Sequence, residues 1–327
     1  MEATIQVQNY KQQLLRLQSL IALVILCVVI SLLSDKFLTS ANGWNVMRQI
    51  SVNVCISVGM TLVILTGGID LSVGSVLALS GAIAAGLLKN GIEIHSANTY
   101  VGFTVLGIVV IALMAGSLIG AFNGYVITRF KVPPFVATLA MLTISRGLTM
   151  LWTKGFPISG LGKNFAWIGT GWFIGVPVPV WISGFVVAIA IIIANRTKFG
   201  RHIYAIGGNE SAAILSGINV KKVKLKVYAI AGGLAAAGGL LVTSRLDAAQ
   251  PNAGMGYELD SIAAVVIGGT SLTGGKGSVG GTVLGAIIIG VLNNGLVLLN
   301  VSPFWQQVVK GGVILAAVII DKAKAKD

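Results

Sequence analysis

The run Thr270-Ser271-Leu272-Thr273-Gly274-Gly275-Lys276-Gly277 combines the glycine, lysine and hydroxyl residues from which phosphate cradles are built. A nucleotide-binding loop of that kind needs glycine six positions before its lysine and serine or threonine directly after it. Thr270 and Gly277 occupy those positions. The run is therefore not read as a nucleotide site, and this chain is not expected to be an enzyme. No nucleophile–base pair is visible, so no catalytic residue is assigned. His95 and His202 stand apart, without clustered histidine, cysteine or carboxylate, so neither a metal site nor a cofactor is expected. Cys27 and Cys55 fall in apolar runs and read as reduced core residues.

The remaining candidates are polar groups in apolar surroundings. Arg146 and Lys310 interrupt such runs, and an intramembrane charge is a functional candidate by default. Both could instead snorkel or lie against helix C-terminal carbonyls. Asn53, Asn293 and Asn294 carry amides compatible with hydroxyl groups, and with Lys310 they are polar candidates inside apolar runs. Gly67-Gly68-Ile69-Asp70-Leu71-Ser72 reads as a turn between two apolar runs. A carboxylate near hydrocarbon costs at least ~2.5 kcal/mol, so Asp70 is expected to cap the next helix or face the interior. A gate at Gly67, Gly68 and Asp70 is the alternative. Gly268-Gly269-Thr270-Ser271-Leu272 echoes this turn and hints at an internal repeat.

Stepped apolar runs must position these groups. Of 327 residues, 55% are hydrophobic and only 10% charged, with mean hydropathy +0.90. A soluble domain carries about 25% charge, so a soluble enzyme is excluded and an all-α polytopic membrane protein is expected. Ten spans are read, near 17–34, 45–67, 71–88, 101–126, 133–152, 178–195, 224–243, 259–270, 279–300 and 304–320. The third and eighth are short and adjoin glycine-rich turns, so either could be a broken or re-entrant helix. With both termini in the cytoplasm, most of the basic residues fall on that side, leaving Lys36, Lys89, Lys154, Lys163 and Arg245 outside. The six tryptophans then lie at outer span ends or in the loop after the fifth span. The first span reads as an uncleaved anchor. Net charge +13 is read as topology, not as nucleic-acid binding. Glycines and alanines at three- to four-residue spacing, from Gly74 to Gly86 and from Gly277 to Gly285, are read as close helix packing against neighbours within the lipid.

The longest cytoplasmic loop, 196–226, does not read as a linker. Gly207-Gly208 predicts a turn, Asn209 an N-cap, Glu210 a charge suited to a helix start, and Ser211, Ala212 and Ala213 a short helix. Gly217 is placed to end it at the C′ position. So short a helix needs a brace, and its small apolar surface suits another protein's groove. An ordinary basic juxtamembrane loop is the plainer alternative.

The segment GGNESAAILSGINVKKVK resembles the cytoplasmic coupling segment of permease subunits in the sugar branch of bacterial ABC importers. The stretches 58–82, 249–286 and 292–318 are similar to the same branch, in order, so the resemblance covers nearly the whole chain. It implies one permease domain over 1–327 with a vitamin-B12-permease-like (type II importer) core, in the bacterial inner membrane. It also implies a second copy of the chain, a cytoplasmic ATP-binding subunit and a periplasmic sugar-binding protein as partners. The implied cargo is a monosaccharide, ribose foremost, with galactose, arabinose and xylose as alternatives. A stand-alone secondary transporter or facilitator is the competing class, and in either class Asn53, Asn293, Asn294 and Lys310 are the candidates for the translocation path. Proton coupling is disfavoured because the ten acidic residues lie nearly all at termini or span ends, whereas such coupling uses buried carboxylates; a passive pore stays open as an alternative.

Overall fold

The computed structural model describes residues 19–94 and 99–324, so His95 and the basic residues before the first span lie outside the described part. Helices account for most of it: α1 (Ser19–Leu33), α2 (Ser40–Leu65), α3 (Val73–Asn90), α4 (Val105–Phe130), α5 (Pro134–Thr153), α6 (Lys163–Thr170), α7 (Val178–Arg196), α8 (Lys198–Gly208), α9 (Glu210–Leu215), α10 (Val220–Leu246), α11 (Tyr257–Ile267), α12 (Val279–Leu298) and α13 (Pro303–Lys324). Local chemistry sets their ends. The hydroxyls of Thr39, Thr104 and Ser278 accept from Asn42, Gly107 and Gly281 N–H, and α5 and α7 open next to prolines. The fourth expected span starts later than its apolar run for this reason. Thr104 caps α4, while 99–101 form a strand, β2 (Thr99–Val101), antiparallel to β1 (Ile92–Ile94).

Among the described residues, seven helices are long and apolar enough to cross a membrane: α2, α3, α4, α5, α7, α10 and α12. The chain is thus a multi-pass, mostly helical membrane protein. The short third expected span is a continuous 18-residue helix, α3. The eighth is α11, whose 11 residues reach roughly 16 Å, about half of a ~30 Å hydrocarbon core.

α2 and α3 are the innermost of the seven, while α4, α5 and α7 expose side chains such as Leu118, Phe122 and Phe185 on the outside. The small-residue faces pack as expected. Gly81 lies against Thr243 and Gly239, Gly86 against the Trp152 indole, and Gly281 and Gly285 against the α11 backbone at Gly268 and Ala264. Gly116, Gly120 and Gly124 were not singled out from sequence, yet they bring α4 onto the α10 backbone.

At one end of the helices β3 (Ile158–Ser159) pairs with β6 (Ala248–Ala249), and Lys89 Nζ donates to the Ser159 carbonyl at 2.6 Å. Here β4 (Trp172–Phe173) pairs with β5 (Val176–Pro177). Trp172 stacks edge-on against Trp44 at 5.3 Å, under the Arg48 guanidinium. From β6 the chain turns inward. Gly254 rests on Gly74 and Leu77, and Leu77 touches α10 at Gly239, roughly 10 Å below the end of that helix. α11 therefore begins in the interior of the bundle.

Candidate functional site

Four helices bring amides and charges to one cavity of about 90 Å³. Gln49 and Asn53 come from α2, Tyr257 and Asp260 from the start of α11, Asn293 from α12, and Gln306 and Lys310 from α13. Asp260, only 3% exposed, accepts at Oδ2 from Lys310 Nζ at 3.0 Å and from Asn293 Nδ2 at 3.3 Å. Asn53, Asn293 and Lys310, picked out from the sequence, thus share one site. Asn294 stands apart, in a reciprocal amide pair with Asn42 (3.1 and 2.9 Å) that ties α12 to α2. Asp260, Gln49 and Gln306 were missed. The available signal was an opposite charge in each of two neighbouring apolar runs, Asp260 in one and Lys310 in the other.

Arg146 does not snorkel. Its Nη1 donates to the carbonyls of Pro251 (2.7 Å) and Ala253 (2.9 Å), holding the inward-turning segment ahead of α11. Those are loop carbonyls, not a helix C-terminus, so one guanidinium satisfies groups that water would otherwise have to reach.

Asp70 is 1% exposed and faces the interior. Its Oδ1 accepts from Ser72 N–H at 2.9 Å and Ser72 Oγ at 2.6 Å, closing the turn just before α3. Asn123 Nδ2 of α4 donates to Ser72 Oγ, and Thr138 Oγ1 of α5 to the Ile69 carbonyl. Gly68 lies beneath the Tyr228 hydroxyl, and Gly67 takes φ +76°. The turn is thereby pinned to α4, α5 and α10.

The loop 196–226 folds as two helices. The Gly207-Gly208 turn read from sequence is not there: both glycines finish α8, an 11-residue helix capped by Thr197 Oγ1. The reason is tertiary. A side chain at Gly207 would run into the Leu65 carbonyl and the Gly275 backbone, so glycine here lets α8 seat on the chain. Gly275 N–H donates to the Leu65 carbonyl at 3.0 Å, and Tyr204 OH to the Gly277 carbonyl at 3.0 Å. Three backbones, from the end of α2, the end of α8 and the turn after α11, meet at this point.

α9 follows the local signals. Asn209 Oδ1 accepts from Ala212 N–H at 2.9 Å. At the other end Ile218 N–H reaches the Ala213 carbonyl and Gly217 N–H the Ile214 carbonyl, with Gly217 at φ +81°. That paired bonding around a left-handed glycine is a Schellman stop. Glu210 pairs with Lys224 of α10 at 2.7 Å. Ala213 is buried with Ile203, Ile206, Val220 and Val223, which supply the brace a six-residue helix needs. Ser211 is exposed, and Ile214 (56%) and Leu215 (89%) point outward.

Residues 43–318 match the family described as branched-chain amino acid transport system / permease component. The chain belongs to this permease family. Family members similar to it include the ribose import permease of Escherichia coli (strain K12), 50% identical over 318 residues that cover 96% of each chain. The ribose import permease of Haemophilus influenzae is 51% identical over 312 residues, 94% of this chain and 93% of that one. The D-allose transport system permease of E. coli (strain K12) is 40% identical over 303 residues, 93% and 90% respectively. No solved structure matches.

Proposed function

We propose that the chain is the membrane-spanning subunit of an ATP-driven ribose importer. The observation that carries this reading is half identity over 96% of both chains to a ribose import permease, against 40% to the D-allose protein. In this reading the whole chain, 1–327, is one permease domain in a bacterial inner membrane. α1 and α13 add two shorter apolar helices, and α11, reaching half-way, is the tenth membrane-embedded helix of a core of vitamin-B12-permease type with both termini cytoplasmic. A second copy completes the path, a periplasmic binding protein delivers the sugar, and a cytoplasmic subunit hydrolyses ATP.

α8 and α9 supply the contact with that subunit. The exposed Ile214 and Leu215 present an apolar knob, while Asn209, Glu210, Ser211, Ala212, Ala213 and Gly217 shape the helix that carries it. A push on α8 reaches two backbones at once through Gly207: the end of α2, which carries Asn53, and the turn that ends α11, which carries Asp260. Both walls of the polar cavity are therefore wired to the docking surface. The turn at Gly67, Gly68 and Asp70 follows the same end of α2 and acts as its fixed pivot. Asn53, Asn293 and Lys310 line the path, and Asn294 sets the α2–α12 spacing beside it.

The test is co-purification from membranes, identification of the bound ATPase and binding protein, and uptake in reconstituted vesicles. ATP-dependent ribose accumulation is expected, with allose, xylose and galactose weaker. Accumulation without the ATPase would overturn the importer reading in favour of a stand-alone transporter.

A further inference from the structure

The cavity beside Asp260 has features that a packing interface does not need. The volume of about 90 Å³ is well below the roughly 300–1,000 Å³ of pockets that enclose a small organic ligand, so the cavity has room for no more than one edge of such a solute. Its polar groups come from four different helices. Asn293 is 5% exposed, and its Oδ1 has no hydrogen-bond partner among the described residues, while its Nδ2 is committed to Asp260. A buried amide oxygen without a donor is costly and seeks one. The neighbouring groups, carboxylate, ammonium and amides, can each accept or donate to a neutral hydroxyl.

The ion pair joins two helices. Asp260 lies in the first turn of α11, and Lys310 is on α13, a helix packed chiefly against α11 and exposed at Phe304, Trp305 and Val308. A buried ion pair contributes less net stability than well-packed apolar residues of the same volume, so stability alone does not account for it. A pair that can be exchanged for other hydrogen bonds does.

Resting on the importer reading, we propose that Asp260 and Lys310 form a latch over a hydroxyl-binding wall of the path. A polyhydroxylated, uncharged solute opens it by taking over the hydrogen bonds on the Asp260 carboxylate and donating a hydroxyl to Asn293 Oδ1. No net charge enters or leaves, so the exchange suits a sugar and not an amino acid or an organic anion.

The experiment uses the assembled transporter in vesicles, with Cys27→Ser and Asn53→Cys, and a membrane-impermeant thiosulfonate added from the outer face. Cys55 is fully buried and serves as the unreactive background. With the pair intact, labelling at position 53 is expected to be slow. In Asp260→Asn/Lys310→Met it should be at least tenfold faster, and in the charge swap Asp260→Lys/Lys310→Asp slow again. During ATP-driven turnover, ribose seated on the wall it uncovers should itself cover position 53 and slow labelling several-fold. Asn293→Leu, which leaves the pair standing, should lose that protection. Equal labelling with and without the pair, at normal membrane abundance, overturns the latch. If the neutral pair does not reach the membrane, unchanged ribose protection in Asn293→Leu overturns the proposal instead. Failure of ribose import itself shows separately, as absent uptake by the parent transporter.

Discussion

Replacing Gly207 by alanine adds one methyl group at the meeting point of α2, α8 and the turn after α11. The new carbon would fall inside contact distance of the Leu65 carbonyl oxygen and the Gly275 nitrogen, both backbone atoms with no side-chain torsion to yield. Those two atoms share a 3.0 Å hydrogen bond, and the methyl group has to part them. Overpacking costs about 1–3 kcal/mol and a buried bond left open about 1–3 kcal/mol, so the junction should lose roughly 2–6 kcal/mol. Gly208 is the internal control. It is the next residue, in the same helix end, and a methyl group there meets nothing within 4 Å. Gly208→Ala should be neutral, or more stable by up to about 1 kcal/mol. The assay is thermal unfolding of the purified transporter together with ATPase stimulation by loaded binding protein. Gly207→Ala should unfold earlier and lose most of the stimulation, whereas Gly208→Ala should match the parent in both. Parent-like coupling and unfolding in Gly207→Ala would refute the idea that force passes through this backbone contact.

Gly217→Val meets no atom within 4 Å, so its penalty is purely the left-handed backbone, at least ~1–2 kcal/mol, and it should reduce uptake with membrane abundance unchanged by immunoblot. Glu210→Lys loses an exposed pair worth at most about 1 kcal/mol together with a favourable helix-start charge, so a smaller coupling loss is expected in the same uptake assay. Arg146→Met strips two carbonyls of their donor and should cost roughly 2–5 kcal/mol, read as a lower unfolding temperature, with Arg146→Lys recovering part of it. Asn294→Ala should destabilise by roughly 1–3 kcal/mol while leaving the KM for sugar unchanged, because the amide pairs with Asn42 away from the cavity.

How much could be read in advance follows the range of each interaction. Both ends of α9 were legible, since Asn209 and Gly217 act within their own turns. Asn53, Asn293 and Lys310 stood out because each is polar in an apolar run, a property visible in one dimension. Their assembly was not visible, because Asp260 reaches Lys310 across 50 positions and Arg146 reaches Ala253 across 107. Gly207-Gly208 misled because two glycines read as a break, whereas here the absence of a side chain serves a contact made by distant backbone. Asp260 was passed over as an acid at a span end, and its span proved to be a half-length helix whose first turn lies inside the bundle.

That half-length helix bears on how the protein is made. Eleven residues of α11 are too few to settle across a bilayer by their own hydrophobicity, so the segment cannot commit when it leaves the ribosome. The helix whose Gly281 and Gly285 accept its backbone, α12, is synthesised later. α11 packs on α2, made earlier, and is held upstream through the segment that Arg146 grips, but its other face stays uncovered until α12 arrives. The packing of α11 is therefore complete only once α12 and α13 have been made. A chain halted after Ser278 would present its quality-control machinery with an unshielded carboxylate, Asp260, and no Lys310 to meet it.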